Sequence, residues 1–195
     1  MPNTLYGLVL AGGKSRRMGS DKALLKRDGK NQLQRLSSLL EERCERVFVS
    51  TRADQRDDPA RAPYEKVVDR YDDMGPMAGI LSALESYPNV DWVVVACDLP
   101  NVSAETLDYL IAHRSDSQPF TAFVSTYDGL PEPLCAVYRA GSDQLLHRFV
   151  NDGVACPRKV LINSDTCLLE QENANWLDNV NTPEDLDNSV LEVST

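Results

Sequence analysis

The run Leu5–Ala11 (LYGLVLA) is apolar at nearly every position and ends abruptly at a glycine pair, Gly12 and Gly13. A strand that is apolar on successive residues buries both of its faces, which requires a sheet covered by helices on both sides. Asp91–Cys97 (DWVVVAC) is the strongest strand signal in the chain. Around these runs, strand-like and helix-like segments alternate. Arg46–Thr51, Val67–Asp69, Pro119–Thr126, Leu134–Arg139 and Val160–Asn163 read as strands. Leu33, Leu36, Leu39 and Leu40 recur at helical spacing through Asn31–Arg43, and helices are expected over Gly75–Tyr87, Ser103–Ala112 and Ser142–Val150. A last helix should open at Thr182, with Pro183 in its first turn. The alternation predicts an α/β fold with a mostly parallel sheet. Asp128-Gly129 predicts a hairpin between Pro119 and Arg139, as an antiparallel departure. The polar stretch Arg52–Pro63 reads as a loop. No Gly-, Ser- or Pro-rich linker divides the 195 residues, so one domain over 1–195 is expected.

Charge narrows the range of partners. The net charge of −10 argues against nucleic acid. The longest apolar runs are too short for a bilayer, and no basic segment precedes the short apolar run at the N-terminus, so neither membrane nor secretion is expected. Five cysteines (Cys44, Cys97, Cys135, Cys156 and Cys167) without CxxC spacing read as reduced thiols of a cytoplasmic protein. The distribution of charge is uneven. Residues 1–70 hold 15 basic and 10 acidic side chains, whereas residues 71–195 hold 5 and 20. Lys14, Arg16, Arg17, Lys22, Lys26 and Arg27 fall close together. Such a concentration on an acidic protein draws a small polyanion to one place, although a solvated basic loop is the plainer reading.

In sheets of this kind ligands sit beyond the carboxyl ends of the strands. The first strand ends in Leu10-Ala11-Gly12-Gly13, followed by Arg17 and Lys22. Glycines there permit close main-chain approach to an anion, and the two cations can meet phosphate oxygens. The spacing is neither a Walker A loop nor a dinucleotide-binding G-x-G-x-x-G. Asp98 directly follows the buried strand, where a carboxylate suits Mg²⁺ shared with phosphate oxygens; taken alone, a cap on the turn before Pro100 or on the helix at Ser103 is the plainer reading, and the phosphate loop beside it favours the metal. Asp69 also follows a strand, ahead of Gly75-Pro76-Met77-Ala78-Gly79, whose small residues could admit a base or ribose or simply pack a helix on the sheet. Asn179 and Asn181 flank Val180 and would face one side of an extended segment, or serve only to cap the last helix. His113 and His147 sit in unrelated contexts, and no Ser-His-Asp or Cys-His set is legible.

Together and in order, LVLAGGKSRRMGSDKALL, GPMAGI, ACDLP and NVNTPEDL resemble the nucleotidyltransferases of the molybdenum cofactor group, specifically the molybdenum cofactor guanylyltransferase (MobA-type) family. The resemblance runs from Leu8 to about Leu186. It implies a three-layer α/β/α, Rossmann-like fold of the nucleotide-diphospho-sugar transferase kind. It implies that Leu10, Ala11 and Gly12 contact GTP through the main chain, that Arg17 and Lys22 bind the triphosphate, that Asp69 contacts the nucleotide, and that Asp98 binds Mg²⁺ and GTP. Arg158, Asn179 and Asn181 would lie toward a molybdopterin acceptor. The chain departs from the usual motifs at Asn31, where proline is common, at Met77, where leucine is usual, and through Asn151–Val160.

The implied reaction is attack by a terminal phosphate of molybdopterin on the α-phosphorus of GTP, with pyrophosphate leaving. The acceptor phosphate is already nucleophilic near neutral pH, so positioning and charge neutralisation suffice. Proteins that hand over or accept the cofactor are further expected partners. A related transferase using CTP or a sugar phosphate, a non-catalytic nucleotide sensor, and an interaction module with a basic loop remain open at this level. The register of the loop has a direct test: Arg17→Ala should nearly abolish turnover while Arg16→Ala is mild, and equal losses at the two positions would overturn that register.

Overall fold

The computed structural model describes residues 3–12 and 21–191. The strands are β1 (Leu5–Leu10), β2 (Lys26–Arg27), β3 (Lys30–Asn31), β4 (Arg46–Thr51), β5 (Glu65–Val68), β6 (Asp91–Ala96), β7 (Phe120–Val124), β8 (Pro131–Tyr138) and β9 (Thr166–Leu169). The helices are α1 (Gln32–Glu41), α2 (Pro76–Ser86), α3 (Ala104–Ala112), α4 (Asp143–Asn151), α5 (Pro157–Ile162) and α6 (Pro183–Asp187). Seven strands form one sheet in the order β5-β4-β1-β6-β8-β7-β9. β1 pairs in parallel with both β4 and β6, and β4 with β5. Only β8 runs against the rest, paired antiparallel to β6 and to β7. The expected hairpin at Asp128-Gly129 is therefore present, with Gly129 at φ 71°.

Alternation along the strands divides the core into two layers. Val9, Val49, Val93 and Val95 pack with Leu33, Leu36 and Leu40 of α1 and Leu107 and Leu110 of α3. Leu8, Phe48 and Val94 pack with Met77, Ile80 and Leu84 of α2, Leu146 of α4 and Leu161 of α5. The continuous apolar pattern of β1 and β6 follows from this double cover.

Local chemistry sets the helix starts. Asn31, the departure from the usual proline, caps α1: its side chain accepts from Gln34 N at 2.8 Å while Gln34 returns a bond to Asn31 N. Ser103 caps α3 and Thr182 caps α6 in the same reciprocal way. One assignment is corrected. Val160–Asn163 is not a strand, because Pro157 opens α5 and Val160 and Leu161 bury one turn of helix against the sheet. The edge strand comes just afterwards, at β9. A short apolar run fits either period, and here the proline decides. The polar stretch 52–63 carries two single 3-10 turns, Ala53–Gln55 and Pro59–Arg61. Among the described residues no helix is long and apolar enough to cross a membrane.

Gly79 on α2 lies hard against β4 and β1. A Cβ there would collide with Ser50 Oγ and come within 3.0 Å of Leu10 Cδ2. Its smallness therefore serves helix–sheet packing, while Gly75 and Ala78 lie on the cleft described below. Gly79→Ala should cost about 1–3 kcal/mol by overpacking. Denaturant unfolding measures this, with Ala78→Gly as the control that adds no volume.

Candidate active site

The carboxyl ends of the four adjacent parallel strands open into a cleft of about 900 Å³. Leu10, Ala11, Gly12, Lys22, Asp69 and Asp98 all line it. Residues distant in sequence meet because β1 is in register with both neighbours, Leu10 opposite Ser50 on one side and Ala96 on the other. The loops that leave these strands therefore start at one height.

Asp98 is the most heavily buried acid of the cleft. Its side chain is 20% exposed, and Oδ1 is buried with no hydrogen-bond partner among the described residues. Burial raises its pKa, and the Lys22 ammonium 3.9 Å from Oδ2 opposes the rise. Lys22 Nζ also donates to Asn181 Oδ1 at 2.7 Å. Asn181 is delivered by the segment before α6, where Val180 N bonds the Asp98 carbonyl at 2.9 Å. The turn carrying Asp98 is gripped from the other side by α1 and its approach. Gln32 donates to Cys97 O, Arg35 to Val102 O and Leu99 O, and Arg27 to Pro100 O. Carbonyls of a loop packed this deeply need donors, and these side chains supply them.

Asp69 accepts from Ser50 Oγ at 2.8 Å, and its Oδ2 stands 3.3 Å from the place a Cβ on Gly12 would occupy. Burial pushes its carboxyl up to about 6, against the hydrogen bond from Ser50 and the charge of Arg52. Arg52 donates to Gly12 O at 2.6 Å and is held by both oxygens of Asp54 at 2.9 and 2.8 Å. Arg61 is fully buried and donates to Ala11 O at 2.8 Å and Asp21 Oδ2 at 2.6 Å. Ser50, Arg52 and Arg61 were not expected here. The last two sit in a polar stretch that reads as loop, and only its arginines hinted otherwise.

The remaining expected residues are placed as follows. Asn181 reaches the cleft cation, whereas Asn179 is exposed. Arg158 on α5 is outside the residues that line the cleft, paired with Asp128 at 2.9 Å and Glu132 at 2.8 Å. Arg17 lies outside the described residues. His113 bonds Tyr109 O and His147 bonds Glu85, both apart from the cleft. All five cysteines are free thiols.

Gly12 just past a strand, a cation and a buried acid thus meet at the head of a parallel sheet. Residues 7–167 match the model of the MobA-like NTP transferase domain. The chain belongs to that family. It is thereby an enzyme of the nucleotidyltransferase class. It is 41% identical over 181 residues to the molybdenum cofactor biosynthesis bifunctional protein of Synechocystis, covering 93% of this chain and 52% of that protein. The chain thus spans about half the length of that relative. It is 30% identical to a probable molybdenum cofactor guanylyltransferase of Bacillus cereus, with 92% of each chain covered. The crystal structure of molybdopterin-guanine dinucleotide biosynthesis protein A from Archaeoglobus fulgidus superposes with a TM-score of 0.77 at 24% identity, covering 94% of this chain and 95% of that one, and shares the fold.

The raised pKa of Asp69 carries a signature in stability. Its ordinary value is 3.8 and its folded value about 6. Between these values the unfolded chain has released the proton and the folded chain still holds it, so native stability falls as pH rises through that window. Asp69→Asn keeps an acceptor for Ser50 and removes the titration. Melting temperatures of variant and wild type, measured from pH 4 to 7, should shift steadily in favour of the variant and then level off.

Proposed function

We propose that this chain transfers GMP from GTP to the terminal phosphate of molybdopterin, with Mg²⁺ as cofactor and pyrophosphate as the second product. The observation that carries the reading is the buried, unpartnered Oδ1 of Asp98 beside Lys22, at the head of the strand next to the Gly-rich loop. Guanine as the base and molybdopterin as the acceptor are supported by the names of the full-length relatives. A cytoplasmic setting belongs to the same reading, since unpaired thiols are usual there.

The residues present fit a magnesium ion. Among the described residues no three His, Cys, Asp or Glu side chains gather into a metal cage. Mg²⁺ characteristically takes one or two carboxylates together with substrate phosphate oxygens, and Asp98 offers an oxygen that no donor among the described residues occupies. When bound, the ion would supply charge neutralisation for the α-phosphate and the departing pyrophosphate. The chain's own groups do the rest. Lys22, steadied by Asn181, meets triphosphate oxygens with a fixed ammonium. The main chain at Ala11 and Gly12 lets the phosphates approach closely, because Gly12 has no side chain to fill the space before Asp69. Arg17 adds a second cation from the same loop, and Asp69 meets the nucleoside end. The pterin approaches from the side of Asn179, Asn181 and Arg158. Each well-placed donor to developing charge is worth on the order of 3 kcal/mol of barrier. No strong base is required, since the acceptor phosphate is ionised at neutral pH.

Pyrophosphate release with each nucleoside triphosphate in turn, with Mg²⁺ and molybdopterin, tests the reading; turnover confined to CTP, or none with any of the four, would replace it. Asp98→Asn separates the metal role from turn capping. Asparagine caps about as well as aspartate, so a capping residue would leave turnover and melting unchanged. A metal-holding Asp98 predicts collapse of turnover at ordinary Mg²⁺, partial return at high Mg²⁺ or with Mn²⁺, and retained GTP binding.

A further inference from the structure

Arg61, in the 3-10 turn Pro59–Arg61, is completely buried behind Ala11 and Asp21, two residues that line the cleft. Its guanidinium reaches three anchors. Nη1 donates to Asp58, Nη2 donates to the carbonyl of Ala11 at 2.8 Å, and Nη2 also donates to Asp21 Oδ2 at 2.6 Å. Ala11 and Asp21 are the two shoulders of the Gly-rich segment: one ends the run from β1, the other immediately precedes Lys22. One planar cation thus ties the entry of the loop to its exit. Asp21 passes the constraint on, because its other oxygen accepts from Ala23 N at 3.0 Å and caps the 3-10 turn that begins at Lys22.

The Ala11 carbonyl belongs to the same peptide unit as the Gly12 N–H. No peptide bond among the described residues is cis. In a trans peptide the two groups point in opposite directions, so a cation holding the oxygen at the buried side fixes the amide hydrogen on the other. Drawing charge onto that oxygen also makes the N–H a better donor. Arg52 acts in the same sense on the Gly12 carbonyl. Packing alone does not explain such an arrangement. Nε of Arg61 is buried and finds no partner among the described residues. A buried guanidinium with a donor left over is a poorer filler than an apolar side chain of similar volume.

We propose that Arg61 is the positioning residue of the triphosphate site, fixing the separation of the loop's two ends and the direction of the Gly12 N–H without itself touching the nucleotide. The proposal rests on the nucleotide-transfer reading above and names how the phosphate end of that substrate is recognised. In this proposal its action falls on the phosphates, through the two loop ends it holds at Ala11 O and Asp21 Oδ2. Ala11 and Asp21 are held in place before substrate arrives, so releasing them lowers affinity for GTP and leaves affinity for guanosine, which has no phosphate, in place.

Calorimetric titration of GTP and guanosine into wild type, Arg61→Met, Arg61→Lys and Asp21→Asn, with a thermal melt for each, tests this. Arg61→Met fills the space without charge, and Arg61→Lys keeps the charge but cannot span both shoulders. Asp21→Asn retains the cap oxygen for Ala23 and loses only the charged arm. Each folded variant should bind GTP about tenfold or more weakly while its guanosine affinity stays within about twofold, as expected when a preorganised contact is misplaced. The double variant Asp21→Asn/Arg61→Met should be no weaker than the worse single variant, because both remove one coupling. If Arg61→Met fails to fold, Asp21→Asn carries the test alone. Unchanged GTP affinity in folded Arg61→Met or in Asp21→Asn, or equal loss of GTP and guanosine, overturns the role. Wild-type protein that binds no nucleoside triphosphate overturns the nucleotide-transfer reading and this role with it.

Discussion

The parallel pairing of β1 with β4 on one side and β6 on the other sets the geometry of everything above the sheet. Since Leu10 is level with Ser50 and with Ala96, the chain leaves three neighbouring strands at the same height. Gly12, Arg52 and Asp98, each just past one of these strands, are thereby brought to one end of the sheet. The central strands are sealed by helices on both faces, so this register cannot slip without moving apolar residues from one core layer to the other.

The second constraint is how the loops above the sheet are satisfied. The basic surplus of the first 70 residues is spent in large part on main-chain oxygens. Arg27 and Arg35 hold carbonyls of the Asp98 turn, and Arg52 and Arg61 hold those of Gly12 and Ala11. These guanidiniums hold the main chain around the cleft, which Lys22 lines. The arrangement also explains why Asp98 can remain so buried. Its turn is fixed by donors to neighbouring carbonyls, and one carboxylate oxygen has no donor among the described residues.

The sequence made the strands of the parallel core legible because β1 and β6 are apolar on both faces, a pattern that only one kind of sheet accommodates. The loop-end residues followed from that, since Gly12, Lys22, Asp69 and Asp98 each sit just past a strand or just past the glycine pair. Val160 misled because three apolar residues carry no period of their own, and the deciding residue was Pro157, outside the run. Gly79 was ambiguous because smallness suits a ligand and a neighbouring helix equally; only the position of Ser50 resolves it. Arg61 was illegible because its importance lies in contacts 40 and 50 residues away in sequence, to Asp21 and Ala11, and a polar stretch gives no sign of a buried guanidinium.

The bond from Lys22 to Asn181 spans 159 positions of the chain. Contacts at such a separation carry a large loop-closure cost, and the neighbouring Val180 bond to the Asp98 carbonyl closes nearly the same segment onto the sheet. Lys22 is also made well before the residue that holds its ammonium, 159 positions later. Until the segment before α6 has been made and has docked against the Asp98 turn, the cleft lacks the contact that steadies this cation.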